Sequence, residues 1–115
     1  MAKSITRSKS FDFALQIIKL VQTIQRTKKE YVLSKQLLRS GTAKGAMICE
    51  AEHAESRQDF RHKLNIGLKE ANETRYWLKL SYMSHYFDYE TFTVLNNDVT
   101  ELIKLLASTV KSLKN

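Results

Sequence analysis

Two acid-x-x-His pairs, Glu50-x-x-His53 and Asp59-x-x-His62, come nearest in this chain to a spacing that does chemistry. Residues three apart share a helix face, so each pair could offer a carboxylate and an imidazole to a metal ion. Carboxylate di-iron bundles use two such pairs on separate helices, with a Glu from each of two others. Here the pairs straddle one short break at His53-Ala-Glu55, and the first and last apolar segments supply no matching inward Glu. The two histidines read as loop and surface residues, and no metal is expected. Cys49 stands four residues before His53, but no orienting acid or oxyanion loop accompanies them. Gly41-Thr-Ala-Lys-Gly45 has neither the length nor the Gly-Lys-Ser/Thr ending of a phosphate-cradling loop. No catalytic residue and no cofactor is expected, so the chain does not read as an enzyme.

Charge is the feature that remains. The 115 residues carry a net +7, unevenly spread. Residues 1–44 hold ten Lys/Arg against Asp12 and Glu30, a net +8, while residues 45–115 hold nine against ten, a net −1. Such asymmetry suits a polyanionic partner, RNA or DNA. Lys19, Arg26, Lys28 and Lys29 cluster on one helix face or its end, and Lys35 and Arg39 share the outer face of the next segment at i, i+4. A strip of this kind could follow a phosphate backbone, each contact contributing through counterion release. The competing reading is a solvated bundle face that serves solubility alone. Tyr82, Tyr86 and Tyr89 could stack on single-stranded bases, but among Trp77, Phe87 and Phe92 they read first as packing residues.

These residues must be positioned by helices. Proline is absent and glycine occurs three times, so breakers are scarce. Ala14, Ile17, Val21 and Ile24, widened by Phe13, Ile18 and Leu20, predict a helix over about 10–27 with Ser10 as its N-cap. Ser34, Leu38, Gly41, Gly45 and Ile48, with Leu37 and Ala46 alongside, predict a second over about 31–52. Glycine inside a helix costs about 0.8–1 kcal/mol relative to alanine. Gly41 and Gly45 on a seam therefore imply close packing against a bulky knob, for which Trp77, Tyr76 and Tyr82 are candidates. Ser56 and Asp59 have capping-box spacing, opening a segment over about 56–86 through Phe60, Leu64, Gly67, Ala71, Thr74 and Leu78. Phe92, Leu95, Val99, Leu102, Leu106, Val110 and Leu113 mark the last, over about 91–113.

No strand alternation is visible, so residues 1–115 are expected to form one all-α domain, an up-down-up-down four-helix bundle. Several stripes are wider than one core needs, which points to self-association. The single Cys49 excludes an internal disulfide and is expected to be buried. If Glu50 points inward it needs Ser40, Thr74 or Arg75 as a partner. No apolar run is long enough for a membrane span, and residues 1–10 show no secretion signal, so no membrane partner and a cytoplasmic location are expected.

Ser10-Phe-Asp-Phe-Ala14, Arg39-Ser-Gly-Thr-Ala-Lys-Gly-Ala-Met-Ile-Cys-Glu-Ala51, Ser56-Arg-Gln-Asp-Phe60 and Leu64-Asn-Ile-Gly-Leu-Lys-Glu-Ala-Asn-Glu-Thr-Arg-Tyr-Trp-Leu78 together carry a resemblance. Over about residues 8–113 the chain resembles the bacterial four-helix bundle family of 23S rRNA intervening-sequence proteins. That family includes the accessory protein of diversity-generating retroelements. The chain departs from the pattern at Met47, where Asn is frequent, and at Lys44, where a small or apolar residue is usual. The resemblance implies a barrel-like homopentamer. For the retroelement branch it also implies a basic nucleic-acid-binding surface and a reverse transcriptase partner. A structural protein–protein scaffold without a nucleic-acid role is the alternative.

Overall fold

The computed structural model describes residues 2–113. Four helices follow one another: α1 (Ala2–Lys28), α2 (Leu33–Ala51), α3 (Arg57–Met83) and α4 (Tyr89–Ser112). There is no strand among the described residues. The fold is all-α and compact, an elongated body of 46 × 21 × 20 Å. Paired side chains fix the sense of each crossing. Arg7 reaches Glu52 across α1 and α2, Arg39 reaches Glu70 across α2 and α3, and Lys9 reaches Glu101 across α1 and α4. Tyr82 stacks on Phe92 across α3 and α4. Consecutive helices therefore run antiparallel, and the diagonal pairs α1–α3 and α2–α4 make no backbone approach.

The core is formed by the predicted stripes of α1, α3 and α4 together with Leu37, Ile48 and Ala51 of α2. Phe13, Ile17, Val21 and Ile24 meet Leu64, Ala71, Leu78, Leu95, Val99, Leu102 and Leu106, all buried. Several expectations require correction. Ser10 is no N-cap: α1 begins eight residues earlier, and Ser10 lies within it, 1% exposed. Thr6 and Ser10 continue the Phe13–Ile17 face at helical spacing, so two small hydroxyl residues extend the seam where an apolar stripe would stop. Arg7 and Lys9, through Glu52 and Glu101, tie this added length to α2 and α4.

The α2 seam also differs. Its buried residues are Ser34, Leu37, Ser40, Gly41, Lys44, Ile48 and Ala51; Gly45 and Leu38 are half-buried and Ala46 is exposed. The knob at Gly41 is Ile17 of α1 rather than an aromatic of α3 or α4, since a Cβ there would lie 2.9 Å from Ile17 Cγ2. At Gly67 the same atom would sit 3.5 Å from Met47 Cβ, an ordinary contact. Gly41 thus marks a true close approach and Gly67 does not. Cys49, expected inside, is exposed.

Side chains and left-handed turns close the helix ends. Glu30 accepts from the amides of Val32, Leu33 and Ser34 at 2.7–2.9 Å, serving orphan donors at the start of α2. Burial opposes its ionisation, but these amides and the Ser34 hydroxyl outweigh that and hold the carboxyl below its ordinary pKa. Ser56 Oγ accepts from Asp59 N at 3.0 Å, while Asp59 accepts from Glu55 N rather than from Ser56, a capping box displaced by one residue. Asp88 caps α4 through Thr91 N at 2.9 Å. Lys29 (φ 54°) and His85 (φ 69°) take left-handed conformations just beyond α1 and α3, which lets the chain reverse in four or five residues.

Candidate nucleic-acid interface

Because α1 ends where α2 begins, the antiparallel turn gathers most of the predicted cations at one end of the bundle. Lys19, Arg26 and Lys28 are exposed on the second half of α1, Lys29 occupies the turn, and Lys35 is exposed in the first turn of α2. None of these five makes an ion pair among the described residues. Arg26 and Lys28 also lie in the last turn of α1, where the negative end of the helix dipole favours positive charge. The local fold therefore holds them here whether or not a ligand binds.

Lys19 and Lys28 line an open groove of about 720 Å³ between α1 and the start of α4. Thr23 and Thr27 stand beside them, but each hydroxyl donates back to its own helix, to the carbonyls of Lys19 and Thr23 respectively. They cannot also donate to a phosphate. The opposite wall carries Tyr86 and Phe87 together with Asp88 and Glu90. Positive charge thus belongs to the α1 wall and its outer face, while the α4 wall repels anions. Tyr82 is occupied by packing on Phe92, with ring centroids 4.6 Å apart.

Arg39 is held differently from the other five. Its guanidinium bonds Glu70 at 3.1 Å and forms a short contact with Glu73, while Nε donates to Gln36. Glu73 also accepts from Trp77 Nε1 at 2.9 Å. The Trp77 and Arg39 hydrogen bonds hold the Glu73 carboxyl below its ordinary pKa. A phosphate at Arg39 would have to displace two carboxylates of α3. Arg39 thus joins α2 to α3, apart from the Lys35 surface with which its spacing groups it. The partners are 31 and 34 residues away in sequence, so no local signal announces them.

The remaining candidates are dispersed. Glu50, His53 and His62 are exposed, and Asp59 is engaged by Lys63 Nζ at 3.0 Å and by Glu55 N. No group of three potential metal ligands gathers among the described residues. One surface was missed in the sequence. Phe11, 64% exposed, lies with Ala14, Ile18, Ala46 and Cys49 along a groove of about 620 Å³ between α1 and α2, and Leu15 is exposed beside it. Phe11, Leu15 and Ile18 at i, i+4 and i+7 form a second apolar stripe on α1, and that spacing is the signal that could have found it.

The geometry defines a class: an antiparallel four-helix bundle with a cationic end and an uncovered apolar flank. Among the described residues no helix is long and apolar enough to cross a membrane. The family model of the 23S rRNA-intervening sequence protein matches residues 2–108, and the chain belongs to that family. A search of curated proteins found no match. Among solved structures, the chain is similar to a protein of unknown function from the S23 ribosomal protein family of Bacteroides thetaiotaomicron. The two are 50% identical, with a TM-score of 0.94 over 96% of this chain and 99% of the other.

Proposed function

We propose that this protein is a non-catalytic, oligomeric bundle that binds RNA or DNA through the cations at the α1–α2 end. The observation that carries the reading is the set Lys19, Arg26, Lys28, Lys29 and Lys35, gathered at one end without partner carboxylates among the described residues. Its family, described by an intervening sequence of 23S rRNA, supports an RNA-related role. Self-association covers the Phe11–Leu15–Ile18 flank. The assembly implied by the family resemblance is a homopentamer, in which five copies of a weak cationic patch act together through avidity. A reverse transcriptase or another nucleic-acid enzyme is the partner class that such an accessory would serve, in the cytoplasm.

Fluorescence-anisotropy titration of a structured RNA and a single-stranded DNA against salt tests this reading. Affinity should fall steeply with salt, with about one counterion released per phosphate contact. Lys19→Glu/Arg26→Glu/Lys28→Glu should abolish binding while the mass in solution stays unchanged. Arg39→Gln, which removes a residue already committed to α3, should change affinity little. The exposed α1–α2 flank favours a second reading, a protein–protein scaffold. Absence of any nucleic-acid binding at low salt by the intact oligomer would select that one.

A further inference from the structure

Lys44 is fully buried, although the turns around it are exposed on one side. Its Nζ donates to the carbonyl of Gly41 at 2.9 Å and lies 3.8 Å from the centroid of the Phe13 ring. An ammonium carries three N–H donors and a neutral amine two. One carbonyl and one aromatic face match the amine and leave the ammonium a donor short. The ring face would favour the cation, but it opposes the larger cost of taking that cation out of water.

The charges around the site do not supply the missing partner. On α3, Glu70 is the charge that favours the ammonium, and its carboxylate is already bonded to Arg39 of α2. From α1 the amine meets the Phe13 ring. Phe13 also lines the α1–α4 seam with Lys9, Asp12, Asp98 and Glu101, where Lys9 is paired to Glu101. Burial, followed by Glu101, raises Asp98 above its ordinary pKa. Burial pulls the Lys44 amine down to about 7, with Glu70 opposing that more weakly.

The ring that covers the amine belongs to α1, whose other flank, the seam with α4, is the least extensive helix contact in the bundle and carries the exposed Lys9–Glu101 pair. Its seam with α4 opens into the groove of about 720 Å³, whereas α2 and α3 are joined by Arg39, Glu70 and Glu73. The easiest route for the amine to reach water is for α1 to lift from α2. We infer that Lys44 is a proton-operated latch: the neutral amine keeps α1 seated over it, and taking a proton from solvent favours a state in which α1 parts from α2 and the ammonium is hydrated.

The sign follows from linkage. The closed bundle titrates near 7 and the hydrated amine near ~10.4. The opening constant of α1 should therefore rise about tenfold for each pH unit lowered from ~10 to ~7, then level off. Native-state hydrogen exchange at pH 7 and pH 9, corrected for intrinsic rates, reads this directly. The amides of α1 should open on the order of a hundredfold more at pH 7, relative to those of α3. Lys44→Met, of similar length and without charge, should remove that difference. An α1-to-α3 ratio equal at both pH values, or one that persists in Lys44→Met, overturns the latch. If the variant does not fold, the wild-type protein still decides. The Lys44 Cε resonance in ¹³C-lysine-labelled protein should titrate near 7, and a midpoint above 10 overturns the proposal.

Discussion

The two flanks of α2 are built on opposite principles. Toward α1 the contact at Gly41 is steric: Gly41 admits Ile17 so closely that no Cβ fits, and the Arg7–Glu52 ion pair between the two helices lies toward the far end of α2. Toward α3 the contact has room at Gly67 and is held by polar groups, with Arg39 bridging Glu70 and Glu73 and Trp77 donating to the latter. Close-packed interiors tolerate little added volume, whereas half-exposed ion pairs are soft and screened. Around Gly41 the α1 flank should therefore respond to added volume and ignore salt. The α3 flank should do the reverse.

The contrast breaks most strongly at Gly41→Leu. The new side chain would enter the volume of Ile17, and overpacking of this kind costs about 1–3 kcal/mol, more where the backbone cannot yield. Gain of helix propensity returns about 0.8–1 kcal/mol. Urea unfolding should show a net loss of up to about 2 kcal/mol, with hydrogen exchange in α1 rising first.

Glu73→Gln comes next, on the other flank. It removes the charge partner of Arg39 while leaving Trp77 an acceptor. A half-exposed charged network is worth about 0.5–1 kcal/mol, and the loss should shrink in high salt, which the Gly41→Leu loss should not. Because Glu73 is held below its ordinary pKa in the fold, its contribution is complete above the unfolded carboxylate pKa. It fades as pH falls through the lower folded value. Wild type and Glu73→Gln should therefore converge in acid. A gap that stays constant from pH 7 to pH 3 would show that the contact is not electrostatic.

Gly67→Ala should act in the opposite direction from any change at Gly41. Its Cβ would make an ordinary contact with Met47 and the Lys44 carbonyl. The propensity gain should then appear almost whole, as about 0.5–1 kcal/mol of added stability in the same urea assay.

The sequence carries these flanks unequally. The stripes of α1, α3 and α4 are readable because leucine, isoleucine and valine fall at helical spacing, and those three helices follow from them. The α2 seam is readable only in part: Ser34, Leu37, Gly41 and Ile48 are buried where the spacing puts them, but Ser40 and Lys44 fill buried positions that polar side chains do not announce. The first turns of α1 are hidden for the same reason: Thr6 and Ser10 occupy core positions, and Ser10 imitates a cap. The cations at the bundle end are visible by composition and by their place in the chain. That Arg39 is withdrawn from them depends on Glu70 and Glu73, brought close only by the fold. Local periodicity reports which face is apolar. It cannot report which charge meets which, and a buried amine such as Lys44 inverts its rule outright.

The smallest effect lies at Gly45, where the steric flank fades toward its polar edge. A Cβ there would meet Ser10 Oγ at 3.3 Å, tighter than ordinary contact but against a hydroxyl that has no hydrogen-bond partner among the described residues. Gly45→Ala alone should change stability by less than about 0.5 kcal/mol, because crowding at Ser10 offsets the propensity gain. Ser10→Ala removes both the crowding and a buried hydroxyl without a partner among the described residues, and replaces serine with a better helix former. In that background Gly45→Ala should add about 0.5–1 kcal/mol. The double-mutant cycle should therefore return a coupling of about 0.5 kcal/mol between two residues in direct contact. Strict additivity would mean that α1 already stands off at this turn, and that the tight contact between α1 and α2 is confined to Gly41 and Ile17.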